Sequence, residues 1–243
     1  MDAIISDIHG NVEALDAVLS AARAFNADRF ICLGDIVGYG PNPLECIERL
    51  RDFDLVIAGD WDLAAISVGD PPWNEHLVKQ VHWVRSQLVG HDSAIAFLRS
   101  GSPSQTVGGK TYFHGTPHDP SEWIFPEDLY NTGKMTRIME VAGLTSFCGR
   151  NHMAGLYRAT PQWTYSTAAE LGDQWYSLEG TCICSVGSVG QPRDSDPRAS
   201  FVLCDGERAR FARVEYDHEL TASKIRAIAS IPDMHGDRLS HGR

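Results

Sequence analysis

Six residues of metal-ligand type, Asp7, His9, Asp35, Asp60, His114 and His152, each stand at or just after the end of a run that reads as a β-strand. Carboxylate and imidazole are the donors that borderline divalent ions take in mixed nitrogen and oxygen sites. Asp7 and His9 are two apart, and residues i and i+2 of an extended chain point the same way, so both are expected to reach one ion. A lone Asp-x-His pair is weak evidence for a metal. Six such residues at successive strand ends are hard to produce by chance, and the chemistry they point to is that of a bound cation.

The elements that must position them follow from hydrophobic periodicity. Short apolar runs predict strands at 3–6, 29–34, 54–59, 110–114 and 144–149, and residues 12–25 carry Val12, Leu15, Val18 and Leu19 at helical spacing. Further helices are predicted through CIERLRDF, across 73–98, near 126–142 and at 218–230. Strand–helix–strand alternation implies parallel pairing, and ligands of such sheets gather at the carboxyl ends of the strands. The last third reads as short strands joined by tight turns, which predicts antiparallel pairing. The C-terminal DMHGDRLSHGR reads as frayed.

With 243 residues, 43% of them hydrophobic, and no Gly/Ser/Pro linker, the chain is expected to form a single domain over 1–243. A net charge of -11 removes the long-range basic field that a nucleic-acid duplex requires, but a small phosphoester or nucleotide stays compatible, because a bound metal reverses the local field. None of the six cysteines forms a CxxC pair and most sit in four apolar runs (ICLG, SFCG, CICSVG and FVLCD), so they read as small buried hydrophobes. With no signal-peptide pattern and no apolar run of about 20 residues, the expected setting is cytoplasmic with no membrane partner. His76, His82 and His91 read as surface or core-edge histidines. No feature sets the oligomeric state.

The blocks SDIHGN, GDIVGYGPNP, IAGD, FHGTPHDP and CGRNH, in that order, resemble those of the calcineurin-like metallophosphoesterases, and GSVGQPRDSDPRASF at 187–201 resembles a late loop and strand of the compact bacterial and archaeal branch. The resemblance covers nearly the whole chain. It implies an α/β fold, a four-layer α/β/β/α sandwich of two mixed sheets flanked by helices, with metal at the sheet edges. It also implies one or two divalent transition metal ions (manganese, iron or zinc) and hydrolysis of a phosphomonoester or phosphodiester by a metal-activated hydroxide. Carried over, Asp7, His9 and His152 would hold the first ion, Asp35 would bridge, and His114 would hold the second.

Three positions depart from the family pattern, all on one side. Asp60 stands where Asn is usual, Arg150 where a ligand His is usual, and Trp61 where the His that assists the leaving group is usual. A guanidinium stays protonated and cannot ligate. A unit positive charge 4 Å from another costs about 4 kcal/mol at an effective dielectric near 20, and a dication feels about twice that. Either Arg150 points away, or the second ion is weak or absent, or Arg150 takes its role by binding phosphate oxygens in bidentate fashion. Asn11 is expected to hydrogen-bond phosphate, His118 is a candidate replacement proton donor, Trp61 could stack on a base or aryl ester, and Arg193 is expected to line the pocket. The Gly38–Tyr39–Gly40 run reads as a tight turn beside the centre. The alternative function is a non-catalytic metal- or nucleotide-binding protein of the same fold.

Overall fold

The structure is a computed structural model and describes residues 1–243. β1 (Asp2–Ile5), β2 (Arg29–Cys32) and β3 (Leu55–Val56) run parallel, connected through α1 (Val12–Ala24) and α2 (Pro43–Arg49). Helices α3 (Asp60–Ile66), α4 (Glu75–Leu88) and α5 (Asp92–Ser100) follow. Next come β4 (Ser104–Val107), β5 (Lys110–Phe113), α6 (Thr132–Ala142), β6 (Thr145–Cys148), β7 (Ala154–Ala159), β8 (Trp163–Thr167) and α7 (Ala168–Leu171). The chain ends with β9 (Tyr176–Ser177), β10 (Thr181–Val186), β11 (Ala199–Cys204), β12 (Arg208–Val214), α8 (His218–Arg226) and α9 (Met234–Asp237).

Two mixed six-stranded sheets result, ordered β3-β2-β1-β11-β12-β9 and β4-β5-β6-β10-β7-β8. Their central strands are buried on both faces, so alternate residues serve different layers. In β1, Ile4 joins the core between the sheets while Ala3 and Ile5 face the helices. In β10, Cys182, Cys184 and Val186 point to the inner core and Ile183 to α6. Three packed interfaces therefore separate four layers: α1, α2, α4 and α5 on the first sheet, sheet on sheet, and α6 on the second. Each fully buried Ile, Leu or Phe in these layers contributes about 1.5–3 kcal/mol relative to exposure. All six cysteines are buried and unbridged, and no helix is long and apolar enough to cross a membrane.

Several expectations change. The strand predicted at 54–59 is only Leu55–Val56, followed by a single bridge from Ile57 to Ser102. The helix predicted at 126–142 breaks at Asn131, whose carboxamide caps α6 by accepting from Lys134 N. The late strands are not all antiparallel, since β10 pairs parallel with β6. The C-terminal segment is not frayed. His235, Gly236 and Leu239 are buried, Leu239 packs with Ile225 and Ile231, and Gly236 lies against Ala222 where a Cβ would meet Ala222 O at 3.1 Å. A small residue at Gly236 is what lets this short helix dock.

Candidate metal centre

The candidate ligands leave the sheets on kinked loops rather than on extended strands. Asp7, His9, Asp35, Arg150 and His152 are five of the seven non-glycine residues with positive φ, at 53°, 49°, 52°, 72° and 59°. The left-handed region costs an ordinary L-residue about 1–2 kcal/mol, so strain is concentrated at this one place. This corrects the extended-dipeptide argument: Asp7 and His9 converge because both are left-handed, beyond the end of β1 at Ile5. Backbone bonds lock the kinks. Asp7 N donates to Gly34 O at 3.0 Å, His9 N to Asp35 O at 2.8 Å, and Gly149 N to His114 O at 2.9 Å. Asp60 is not at a strand end. It opens α3, where Asp62 accepts from Gly59 N at 3.1 Å and from Ile36 N and Val37 N at 2.9 and 3.1 Å.

Glycines admit the close approaches. A Cβ on Gly59 would fall 2.1 Å from Asp35 Oδ1, and one on Gly190 would fall 1.8 Å from Ile8 O. Gly40 N donates to His9 O at 2.8 Å, so the Gly38–Gly40 turn packs directly on the ligand loop.

Each of the three imidazoles turns Nδ1 to a main-chain carbonyl: His9 to Val37 O at 3.2 Å, His114 to Leu33 O at 2.7 Å and His152 to Gln191 O at 2.6 Å. A carbonyl can only accept, so Nδ1 carries the proton and Nε2 presents a lone pair, the tautomer that metal-binding histidines use. Those Nε2 atoms converge. His9 and His152 Nε2 are 3.1 Å apart, and His152 Nε2 lies 3.2 Å from Asp7 Oδ1. His114 Nε2 lies 3.3 Å from Asp35 Oδ2, 3.6 Å from Asp60 Oδ1 and 3.9 Å from Asp7 Oδ1. Asp7 Oδ1, Asp35 Oδ2, both Asp60 oxygens and His114 Nε2 are buried with no hydrogen-bond partner. Buried polar atoms are rarely left so. A bound cation would satisfy those of Asp7, Asp35 and His114, and the donor set suits a borderline transition ion. Two groupings could hold one: Asp7, His9 and His152, and Asp7, Asp35 and His114. Asp7 is common to both.

The titration of the cluster shows the same demand for positive charge. Burial pushes the Asp35 carboxyl up to about 7, the neighbouring Asp60 adds to this, and His114 opposes it. Burial disfavours charge on His114 as well, yet Asp35 and the other carboxylates hold its pKa well above the usual histidine value, so at its Nε2 a cation would take the place of a proton. Burial and the proximity of His152 hold His9 low.

The remaining candidate residues separate. Arg150 turns inward: its Nη2 is 3.0 Å from Asp60 Oδ2, its guanidinium lies 4.2 Å from the Trp123 ring centre, and its backbone N–H donates to Asp7 Oδ2 at 3.0 Å. Arg193 borders the same space, its guanidinium 5.7 Å from the Tyr39 ring centre and 5.9 Å from that of Trp123, while neighbouring Asp194 pairs with Arg213. Trp61 is only 2% exposed, beneath Tyr39 and Trp73 at ring distances of 4.6 and 4.9 Å, so its face is covered and stacking on a ligand is not open to it. Asn11 is committed to the fold: Oδ1 accepts from Ala14 N at 3.1 Å to cap α1, and Nδ2 donates to Gly190 O at 2.9 Å. His118 is exposed and bonded at 3.1 Å to Arg137 O, with no contact to the cluster. The Gly38–Tyr39–Gly40 turn stands beside the centre as its motif implies, while Trp123 and the C-terminal His235, which meets Tyr39 at 4.9 Å, are neighbours that the sequence does not point to. Tyr39 lay within a motif already singled out, whereas Trp123 and His235 lie in segments with no local signal.

Comparison with known proteins bears on the family and the fold. A family model described as the calcineurin-like phosphoesterase superfamily domain matches residues 2–209. An uncharacterized protein of Methanocaldococcus jannaschii, MJ0912, is 30% identical over 256 residues, covering 100% of this chain and 98% of its own. The crystal structure of a metallophosphoesterase from Sphaerobacter thermophilus superposes with a TM-score of 0.83 at 31% identity, covering 100% of this chain and 98% of the other. The hypothetical protein PH1004 of Pyrococcus horikoshii shares the fold at a TM-score of 0.75 and 22% identity, over 100% and 99% of the two chains.

Proposed function

The chain belongs to the calcineurin-like phosphoesterase superfamily, and on that premise we propose that it hydrolyses a small phosphoester at a centre that holds one divalent transition ion tightly. The observation that carries the reading is the convergence of imidazole lone pairs and orphaned carboxylate oxygens on one buried point. Asp7, His9 and His152 would hold that ion, with Asp35 and His114 beside it. A divalent ion so held supplies Lewis acidity and lowers the pKa of coordinated water.

The chain's own residues do the rest. The carbonyls of Val37, Leu33 and Gln191 fix the imidazole tautomers, so the lone pairs are aimed before any ion arrives. Asp60 and Arg150 occupy the side where a second ion would sit, and Arg150 places a guanidinium there, balanced by Asp60. One edge of the Arg150 guanidinium faces Asp60 and Nε reaches Ser121 O at 3.4 Å, which leaves Nη1 free to donate to a phosphoryl oxygen. Stacking on Trp123 holds the guanidinium plane in place.

A second reading has its own support. Trp61 is buried and His118 is bonded elsewhere, so neither of these two positions is poised to protonate a leaving group. Loss of a general acid costs about 10²- to 10⁴-fold, which favours either a restricted enzyme acting on good leaving groups or a non-catalytic metal- or nucleotide-binding protein. Hydrolysis of bis-p-nitrophenyl phosphate and p-nitrophenyl phosphate with added manganese separates them. The enzyme reading expects turnover that falls at least about 100-fold in Asp7→Asn. Equal rates in the two proteins, with manganese still bound to wild type, would leave the binding reading standing.

A further inference from the structure

The chain has 21 lysines and arginines, and most of those in partly buried positions are matched by carboxylates. A cleft of about 600 Å³, for example, is lined by Arg198, Arg210 and Arg213, and each is paired with an aspartate. Three partly buried arginines have no carboxylate within ion-pair distance: Arg158, Arg193 and Arg238. Arg158 is accounted for by the carbonyls of Glu179 and Ser177. Arg193 and Arg238 are not: Arg193 borders the metal centre, and Arg238 lies on the C-terminal segment that packs beside it through His235 and Tyr39.

Arg193 is built in. Its backbone N–H donates to His152 O at 3.1 Å, its Nη2 donates to Gln191 Oε1 at 2.7 Å, and Gln191 O is the acceptor that orients His152. Its Nε is buried and has no acceptor. Arg238 follows α9, three residues after His235, whose ring packs on the same Tyr39 that lies beneath Arg193. His235 and Arg238 are three apart in continuous helical backbone, so they share one face of the C-terminal segment, and burial together with the field of Arg193 lowers the Arg238 pKa in keeping with that placement. In a chain of net charge -11, two adjacent half-buried cations without a carboxylate are a repulsive arrangement that a bound anion relieves.

We propose that Arg193 and Arg238 form a second phosphate subsite beside the metal centre, so that the preferred substrate carries another phosphate next to the scissile one, as in a nucleoside diphosphate or longer polyphosphate. Planar guanidiniums suit phosphate oxygens. Tyr39 and Trp123 supply flat walls between which Arg193 is held. The C-terminal segment thereby becomes part of the substrate site rather than a tail. This inference rests on the phosphoester reading above.

The test is equilibrium binding of ADP and AMP to manganese-loaded protein, read by calorimetry, with p-nitrophenyl phosphate turnover measured on the same samples. Wild type is expected to bind ADP at least about tenfold tighter than AMP. Arg193→Gln and Arg238→Gln should each bring that ratio close to one, Arg238→Lys should retain part of it, and the control Arg158→Gln should keep it. Equal affinity of wild type for the two nucleotides, or a ratio unmoved by Arg193→Gln and Arg238→Gln, overturns the subsite. If neither nucleotide binds while p-nitrophenyl phosphate is turned over, the subsite falls and the phosphoester reading survives. Absence of both binding and turnover above Asp7→Asn overturns the phosphoester reading as well.

Discussion

Arg150 Nη2 lies 3.0 Å from Asp60 Oδ2, with both side chains nearly buried at 12% and 6% exposure. These are the two positions at which the family pattern would place a histidine and an asparagine. The two departures therefore form one unit: a cation replaces an imidazole, and an added carboxylate balances it. The contact is an ion pair without an aligned hydrogen bond, since both Asp60 oxygens lack a hydrogen-bond partner. Asp60 keeps one oxygen 3.6 Å from His114 Nε2, so the pair is continuous with the ligand cluster.

Metal stoichiometry tests whether this pair stands in for an ion. Purified wild type is expected to carry about one transition ion per chain by elemental analysis. Arg150→His frees Asp60 and adds an imidazole, and should raise the content toward two. A content that stays at one after manganese loading would show that the pair does not exclude the second ion.

Removing only one partner should be costly. Asp60→Asn leaves Arg150 as an unmatched charge at a nearly buried position, and such losses run to about 3 kcal/mol. The double change Asp60→Asn with Arg150→His should be less destabilised than the sum of the single changes by about 1–2 kcal/mol in urea melts. Strict additivity would mean that the pair is not coupled.

Gly59→Ala should damage the centre directly. Its Cβ would fall 2.1 Å from Asp35 Oδ1 and 2.2 Å from Asp35 N, and the latter is backbone that cannot step aside. Overpacking of this kind costs about 1–3 kcal/mol or more. Displacement of Asp35 should weaken manganese affinity along with stability. Wild-type affinity in a folded Gly59→Ala protein would remove Asp35 from the site.

Asn11→Asp is nearly isosteric yet should destabilise. The cap to Ala14 N survives, but the other carboxylate oxygen would face Gly190 O across a 2.9 Å gap that now holds an N–H donor. Two acceptors at that distance, with 1% exposure, should cost about 2–4 kcal/mol. Retention of wild-type stability would free Asn11 for the ligand role that its motif position suggested.

What was legible in the sequence was the part encoded locally. Apolar runs, helical spacing and the Asp and His blocks gave the strand ends, and the block order gave the sandwich. The centre was less legible because its geometry comes from left-handed φ at Asp7, His9, Asp35, Arg150 and His152. Those residue types do not announce such a conformation as a glycine would. The inward turn of Arg150 depended on Trp123 and Asp60, which are distant in sequence. Burial of Trp61 depended on Tyr39 and Trp73 closing over it. The C-terminal segment was misread because its apolar content is thin, and its docking relies on Gly236 fitting against Ala222.

That docking should be acid-labile through His235. Burial lowers its pKa to about 4, and the nearby charges of Arg238 and Arg193 act in the same sense. Its Nε2 lies 3.0 Å from Gln80 Nε2, and the amide N–H requires an unprotonated ring nitrogen as acceptor. The unfolded chain, with an ordinary histidine pKa near 6.5, binds this proton more readily than the folded one. Stability from the neutral ring is therefore complete above about pH 6.5 and is lost progressively as pH falls toward 4, up to about 3 kcal/mol. The difference between wild type and His235→Gln isolates this contribution from the acid sensitivity of the metal ligands. Urea midpoints of the two proteins should converge as pH drops from 7 to 4.5, with wild type the more pH-dependent. Parallel curves across that range would mean that His235 does not titrate with unfolding and that the segment is held by its apolar contacts alone.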